Sequence, residues 1–359
     1  MKKKKVLVLI GTLACGGAER VASMLSNELS AYGYDVELMT YYDRSSAFYH
    51  LNNEVKNTSI MGHTKTKLFF KNFLFFRNYI KHNADIIISF TYKFNIFSFF
   101  SCLGLEKTII VSERTDPKKK PKNFFLKILR YIVYNFSDGV VFQTLSAQNH
   151  FNKRIINKSI VIYNPFDNLD KTIIDDDVVS KNAKIISIGR LIDVKNQKML
   201  IHSFAEIYKK YPQYKLYIFG EGILRNKLQE LIIKKHLGEC VFLPGNTNNI
   251  IKEIKSSQVF VLTSNYEGMS NSLIEAMCVG TAVISTDVEC AKEIIANGYD
   301  GIIIKKNDCN ALISSLDLLI SNDEYRCFLE NNSIKKNVFF KKEVIVKQWI
   351  DYLEKRCCK

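Results

Sequence analysis

Val259-Phe260-Val261-Leu262-Thr263, followed after three residues by Glu267-Gly268-Met269-Ser270-Asn271-Ser272-Leu273-Ile274-Glu275-Ala276-Met277, is the stretch that orients this chain. The first run is apolar and β-branched, and it reads as a buried strand. From Asn271 the pattern changes to a helix with Leu273, Ile274 and Met277 on one face. Glu267 therefore falls on the loop leaving a strand, and Glu275 falls just inside the following helix. In open α/β sheets that edge is where ligands bind. A carboxylate beside a helix N-terminus is well placed to accept hydrogen bonds from vicinal sugar hydroxyls. A loop acid followed by a solvated helix acid has the same spacing, so its company decides its meaning.

Outward from this stretch, short Val/Ile-rich strands alternate with helical segments along nearly the whole length. In the first half they are Val6–Ile10, Val36–Thr40, Asp85–Phe90, Thr108–Ser112, Gly139–Phe142 and Ile160–Tyr163. In the second they are Lys184–Ile188, Lys215–Phe219, Val241–Leu243, Val259–Thr263, Ala282–Ser285 and Gly301–Ile304. Alternation of this kind predicts α/β architecture, with parallel sheets and crossover helices. At 359 residues the chain exceeds one typical core, so two domains are expected. The boundaries read from the sequence are residues 1–165, a linker at 166–182, a second domain at 183–338 and a terminal helix at 339–359. That helix holds Trp349, the only tryptophan.

Charge is distributed unevenly. Through Pro165 there are 24 Lys+Arg against 11 Asp+Glu, whereas the remainder has 27 against 25. Only the first half is thus expected to face an anionic partner. Its basic residues interleave with aromatics in Lys67–Lys81 and in Lys118-Lys119-Lys120-Pro121-Lys122, which precedes Phe124-Phe125-Leu126. That mixture suits an anionic membrane surface. No nucleic acid partner is expected, because zinc-finger spacing and RNA-recognition signatures are absent. Nine scattered cysteines without Cys-x-x-Cys argue for a reducing compartment and against structural zinc. The apolar run Val6–Ile10 after Lys2–Lys5 is too short for a secretory signal, even with Cys15 following Leu13-Ala14. No run approaches the roughly 18 apolar residues of a membrane span, so a soluble or peripheral protein is expected.

Several loops could carry chemistry. Gly11-Thr12-Leu13-Ala14-Cys15-Gly16-Gly17-Ala18 follows the first strand, but it lacks the Lys-Ser/Thr of a P-loop. Gly16 and Gly17 still let backbone amides approach a phosphate at a helix start. Gly220-Glu221-Gly222 lacks the rest of a dinucleotide fingerprint and reads as a strand-to-helix turn. Gly189-Arg190-Leu191 with Lys195-Asn196 places two cations after a strand, with Lys195 opening a helix to about Tyr211. A guanidinium fork and an ammonium point charge together suit a diphosphate. Asp175-Asp176-Asp177 contains the Asp-x-Asp that holds a divalent ion in some transferases, but it lies in the linker without a preceding strand.

Taken jointly, Gly16-Gly17-Ala18-Glu19-Arg20, Gly189-Arg190-Leu191 with Lys195-Asn196, and Glu267-Gly268 through Glu275-Ala276-Met277 resemble the retaining glycosyltransferases of family 4, in order and spacing, from Lys5 to about Trp349. The resemblance implies a GT-B fold, two Rossmann-like domains with an interdomain cleft. The N-terminal domain takes the acceptor, the C-terminal domain takes the sugar nucleotide, and the terminal helix crosses back to the first domain. It implies that Arg190 and Lys195 neutralise the donor diphosphate without a metal or other cofactor. Glu275 would hold the ribose, and Glu267 a hydroxyl of the transferred sugar, helped by the amides of Gly268, Met269 and Ser270. Pro244 and Gly245 in Leu243-Pro244-Gly245-Asn246 would line the base, with Gly16 and Gly17 approaching the diphosphate.

The chain departs from the family where many members carry a histidine on a first-domain loop. Ser112-Glu113-Arg114-Thr115 stands there, as in a subgroup that builds bacterial capsule and O-antigen polysaccharides. Glu113 and Arg114 are then candidates for contacting donor or acceptor, against the plainer reading of a strand-terminal salt bridge. The resemblance implies transfer of a hexose or N-acetylhexosamine from a UDP-sugar to a polyprenyl-diphosphate-linked saccharide. The expected location is cytoplasmic, on the inner face of the cytoplasmic membrane. A GT-B epimerase and a degenerate glycan-binding or scaffold module are the alternatives, and a scaffold has no need of Arg190, Lys195, Glu267 and Glu275 together.

Overall fold

The computed structural model describes residues 3–14, 16–42, 48–166 and 181–357. They form two compact units. One comprises the chain up to Asn164 together with the residues from Glu343 onward, and the other runs from Pro165 to Lys342.

The first unit is built on seven strands, β1 (Lys5–Ile10), β2 (Asp35–Thr40), β3 (Lys56–Ser59), β4 (Ile86–Phe90), β5 (Thr108–Ser112), β6 (Gly139–Phe142) and β7 (Ser159–Val161). All pair in parallel, in the order β3-β2-β1-β4-β5-β6-β7. Helices cover both faces, which is why β4 is buried at every residue and carries no polar alternation. On one face Val6, Val8 and Ile10 pack with Leu25 and Leu29 of the helix Gly17–Tyr32 and with Trp349 and Leu353 of the terminal helix. On the other, Leu7, Leu9 and Ile87 pack with Phe76, Ile80 and Tyr134 from the helices Phe69–Asn83 and Phe124–Phe136.

The sequence did not predict β3. Lys56-Asn57-Thr58-Ser59 is a polar edge strand with no apolar rhythm. Glu37 of β2 anchors it, accepting from Thr58 Oγ1 (2.5 Å) and pairing with Lys56 (3.3 Å). The terminal helix also differs from expectation. Asn337–Phe340 forms a separate short helix, extended Lys341 follows it, and the long helix is Lys342–Cys357. Tyr352 fastens this helix to the first sheet, its hydroxyl accepting from Val140 N (2.9 Å).

The second unit has six parallel strands, β8 (Asn182–Ile188), β9 (Lys215–Phe219), β10 (Val241–Gly245), β11 (Ser257–Leu262), β12 (Ala282–Thr286) and β13 (Ile302–Ile304), in the order β10-β9-β8-β11-β12-β13. In both sheets the chain order reverses beside the first strand, between β1 and β4 and between β8 and β11. A crevice opens at the carboxyl ends of such strand pairs, and there a ligand can lie. Among the described residues no helix is long and apolar enough to cross a membrane.

Candidate active site

At the β8–β11 crevice two loops meet, 189–196 from β8 and 263–270 from β11. They are tied together by backbone and side-chain hydrogen bonds. Asn265 N donates to Val194 O (2.8 Å), and Thr263 Oγ1 donates to Lys195 O (2.9 Å). From β12, Thr286 Oγ1 donates to Ser264 O (2.6 Å).

Lys195 does not open a helix, as the sequence suggested. Asp193–Lys195 is a single 3₁₀ turn, Asn196 takes a left-handed conformation at φ 49°, and the helix begins at Gln197. Asparagine tolerates that conformation better than most residues, so the turn can end there. The ammonium of Lys195 donates to Glu267 Oε1 (2.5 Å), and Ser264 Oγ donates to the same oxygen (2.6 Å). Among the described residues the other carboxylate oxygen, Oε2, takes no hydrogen bond. The predicted phosphate-binding lysine and sugar-binding glutamate are thus direct partners. Arg190 is exposed, with no ion-pair partner among the described residues.

Gly268, Met269 and Ser270 lead into the helix Asn271–Cys278. Ser270 caps it, Oγ accepting from Leu273 N (3.4 Å). Glu275 lies in the second turn and is 5% exposed. Behind the Glu267 loop, Cys290 is fully buried. Burial first, and the Glu267 carboxylate second, push its thiol up to about 12, so it is a neutral packing group and not a nucleophile.

Gly220 and Gly222 have a role that the sequence did not reveal. Gly220 has φ 127°, and a Cβ there would stand 2.2 Å from Gly189 O; at Gly222 it would stand 2.4 Å from Leu191 O. Leu191 N donates to Glu221 O (2.9 Å), so the two loops run backbone to backbone and set the position of Arg190. Ser264 was also missed. Its only signal was its place directly after a strand, three residues before Glu267. Pro244 and Gly245 end the edge strand β10, where a missing N–H is tolerated.

The first unit carries the remaining candidates. Gly16 and Gly17 stand at the N-terminus of the helix Gly17–Tyr32, past the carboxyl end of β1, and the Glu19 carboxylate lies over Gly16, where a Cβ would stand 2.3 Å from Oε2. Glu113 and Arg114 follow β5. Glu113 was a candidate for touching substrate, but its carboxylate is enclosed in protein. Oε1 accepts from Arg114 N (3.1 Å), Thr115 N (3.1 Å) and Thr115 Oγ1 (2.7 Å). Oε2 accepts from Tyr134 O–H (2.9 Å) and pairs with Arg130 (3.5 Å). As placed, it is a structural anchor with no bond directed to solvent. Arg114 is 8% exposed and donates through Nη1 to Asn164 Oδ1 (3.0 Å). Among the described residues no three His, Cys, Asp or Glu side chains gather as a metal site. Asp175-Asp176-Asp177, Cys15 and most of the expected linker lie outside the described residues.

Comparison with known proteins agrees with this architecture. Residues 15–168 match the profile of "Glycosyltransferase Family 4", and residues 170–336 match that of "Glycosyl transferases group 1". A relative from Campylobacter jejuni is 30% identical over 356 residues, 96% of this chain and 97% of its own length. It is named GalNAc-alpha-(1->4)-GalNAc-alpha-(1->3)-diNAcBac-PP-undecaprenol alpha-1,4-N-acetyl-D-galactosaminyltransferase. The amylovoran biosynthesis glycosyltransferase AmsD of Erwinia amylovora is 28% identical, covering 97% of this chain and 99% of its own. Among solved structures, sucrose-phosphate synthase from Thermosynechococcus elongatus superposes with TM-score 0.84 at 16% identity, over 98% of this chain and 99% of its own. HepE of Anabaena, solved with UDP-glucose, superposes with TM-score 0.84 at 17% identity, over the same shares. The fold is GT-B. The chain belongs to glycosyltransferase family 4 and is a glycosyltransferase.

Proposed function

We propose that this enzyme transfers a hexose or N-acetylhexosamine, with retention of anomeric configuration, from a UDP-sugar to a polyprenyl-diphosphate-linked saccharide during bacterial surface polysaccharide synthesis. The observation that carries the reading is the pairing of Lys195 with Glu267 at the β8–β11 crevice, on the loop that also carries Arg190 and beside the helix that holds Glu275. Two cations suit a diphosphate, whose charge grows as the glycosidic bond breaks, and fixed positive groups stabilise that transition state. Glu275 serves the ribose and Glu267 a sugar hydroxyl, with the amides of Gly268, Met269 and Ser270 beside them. Pro244 and Gly245 line the base. On the first unit, Gly16 and Gly17 offer amides to phosphate. The acceptor class is taken from the Campylobacter relative, whose name specifies an undecaprenyl-diphosphate-linked saccharide.

The test is a transfer assay with a panel of UDP-sugars and an undecaprenyl-diphosphate-linked saccharide, with product linkage read by NMR. An α-linked product from a UDP-α-sugar supports retention, and no transfer from any UDP-sugar contradicts the reading. Arg190 and Lys195 take the place of a metal, so EDTA is expected to leave the rate unchanged. Loss of activity that manganese restores would bring Asp175-Asp176-Asp177 back as a metal site.

The reading places the enzyme on an anionic membrane surface, the inner face of the cytoplasmic membrane. Phe124, Phe125 and Phe136 are 68%, 74% and 62% exposed on one helix, next to Lys118, Lys119, Lys120 and Lys122. Each basic residue near anionic lipid contributes about 1 kcal/mol. Replacing the four lysines by glutamine is therefore expected to release the protein from phosphatidylglycerol-containing vesicles in a sedimentation assay. Unchanged cosedimentation contradicts the membrane assignment.

A further inference from the structure

The first unit contains a buried charge imbalance. Glu113, Arg114 and Arg130 are 1%, 8% and 3% exposed, one carboxylate against two guanidiniums. Glu113 pairs with Arg130, and among the described residues no carboxylate pairs with Arg114. The guanidinium of Arg114 lies 4.6 Å from the ring of Phe90, the last residue of β4, and 5.8 Å from the ring of Trp349. Nη1 is used on Asn164. Among the described residues Nε and Nη2 have no hydrogen-bond partner, and neither does the indole nitrogen of Trp349.

These two free nitrogens are not scattered. In a guanidinium, Nε–H and Nη2–H project in parallel from one edge, and that edge matches two oxygens of a phosphate. A buried guanidinium without a counter-charge is costly. Consistent with this, burial draws the Arg114 pKa down to about 9 against the opposing pull of Glu113. A water could satisfy the hydrogen bonds but not the charge. An oxyanion satisfies both. The residue also stands at the carboxyl edge of the first sheet, next to the β1–β4 reversal, where a ligand is accommodated.

Resting on the function proposed above, we infer that the Nε–Nη2 edge of Arg114 receives phosphate oxygens of a substrate diphosphate. Trp349 of the terminal helix forms one wall of this receptor. Glu113 is a positioning residue, holding Arg114 N and Thr115 so that the guanidinium stays against the Phe90 and Trp349 rings. As placed, both nitrogens are sealed from solvent, so phosphate reaches them through a small swing of the guanidinium. That swing gives up the Nη1 bonds to Asn164 Oδ1 (3.0 Å) and to the side-chain oxygen of Gln143 (3.2 Å).

The diphosphate could be that of the nucleotide donor or that of the lipid acceptor, and two probes separate them. Calorimetric titrations with UDP and with farnesyl diphosphate are compared between the full-length wild type and Arg114→Lys, which keeps the charge and loses the fork. A weakening of about tenfold or more is expected for one probe. Loss confined to UDP assigns the donor diphosphate, and loss confined to farnesyl diphosphate assigns the acceptor. Equal affinities for both probes in the two proteins overturn the inference. Should Arg114→Lys fail to fold, a crystal structure of the wild type with each probe decides. Phosphate oxygens at Nε and Nη2 support the receptor, and water alone there overturns it. If the wild type ignores UDP yet binds farnesyl diphosphate through Arg114, the donor assignment fails while this receptor stands.

Discussion

Glu267→Gln is expected to slow sugar transfer on the order of a hundredfold while UDP binds as tightly as before or more tightly. The two effects have separate causes. On the substrate side, the variant loses the carboxylate proposed to hold the transferred sugar, and misplacing a reacting group by about an ångström is enough for such a loss of rate. On the protein side, Glu267 is the partner of Lys195 at 2.5 Å, with both side chains less than one-fifth exposed. Phosphate binding at Lys195 has to compete with that carboxylate. Glutamine keeps the shape and removes the competing charge, so the ammonium becomes more available to the diphosphate. Initial rates with a UDP-sugar, set beside calorimetric UDP affinity, check both halves. A variant that transfers at the parental rate, or one that loses UDP affinity and rate together, contradicts the separation of roles.

Trp349→Ala is expected to lower the stability of the first unit by about 3–5 kcal/mol, the range for deleting a large buried aromatic. Trp349 is 0% exposed and stacks on Phe90 at 6.2 Å between ring centres. It reaches the first unit from the far end of the sequence, so its loss both opens a cavity and loosens the terminal helix from the sheet. Thermal unfolding followed by circular dichroism should show a midpoint lower by roughly 10 °C. Trp349→Phe fills most of the cavity and is expected to lose much less. A midpoint unchanged in the alanine variant would mean that the helix contributes little to the unit.

Much of this arrangement was legible in the sequence, for reasons particular residues make clear. The buried parallel strands announced themselves because both faces are covered, leaving unbroken runs such as Val6–Ile10 and Ile86–Phe90. The polar edge strand Lys56–Ser59 stayed hidden because nothing packs on it in a rhythm of two. Arg190, Lys195, Glu267 and Glu275 could be placed on one sheet edge because each follows a recognisable strand. Their mutual contacts could not be read, since the Lys195–Glu267 pair depends on a left-handed Asn196 that converts an expected helix start into a turn. Gly220 and Gly222 looked like a weak dinucleotide signal, and their use as close-approach residues against Gly189 and Leu191 is a tertiary fact. Glu113 shows the converse. Its sequence position suggested a ligand contact, yet Tyr134 and Arg130, from a helix about twenty residues later, enclose it.

The central claim, that the second unit grips a uridine diphosphate between Arg190/Lys195 and Glu275, is tested most directly by titrating UDP into the wild type and into Glu275→Ala by calorimetry. Loss of a charged hydrogen-bonding partner predicts an affinity lower by about tenfold or more in the variant, with an unchanged unfolding midpoint to show that the fold is intact. Wild type and variant binding UDP equally, or a wild type that does not bind UDP at all, would contradict it.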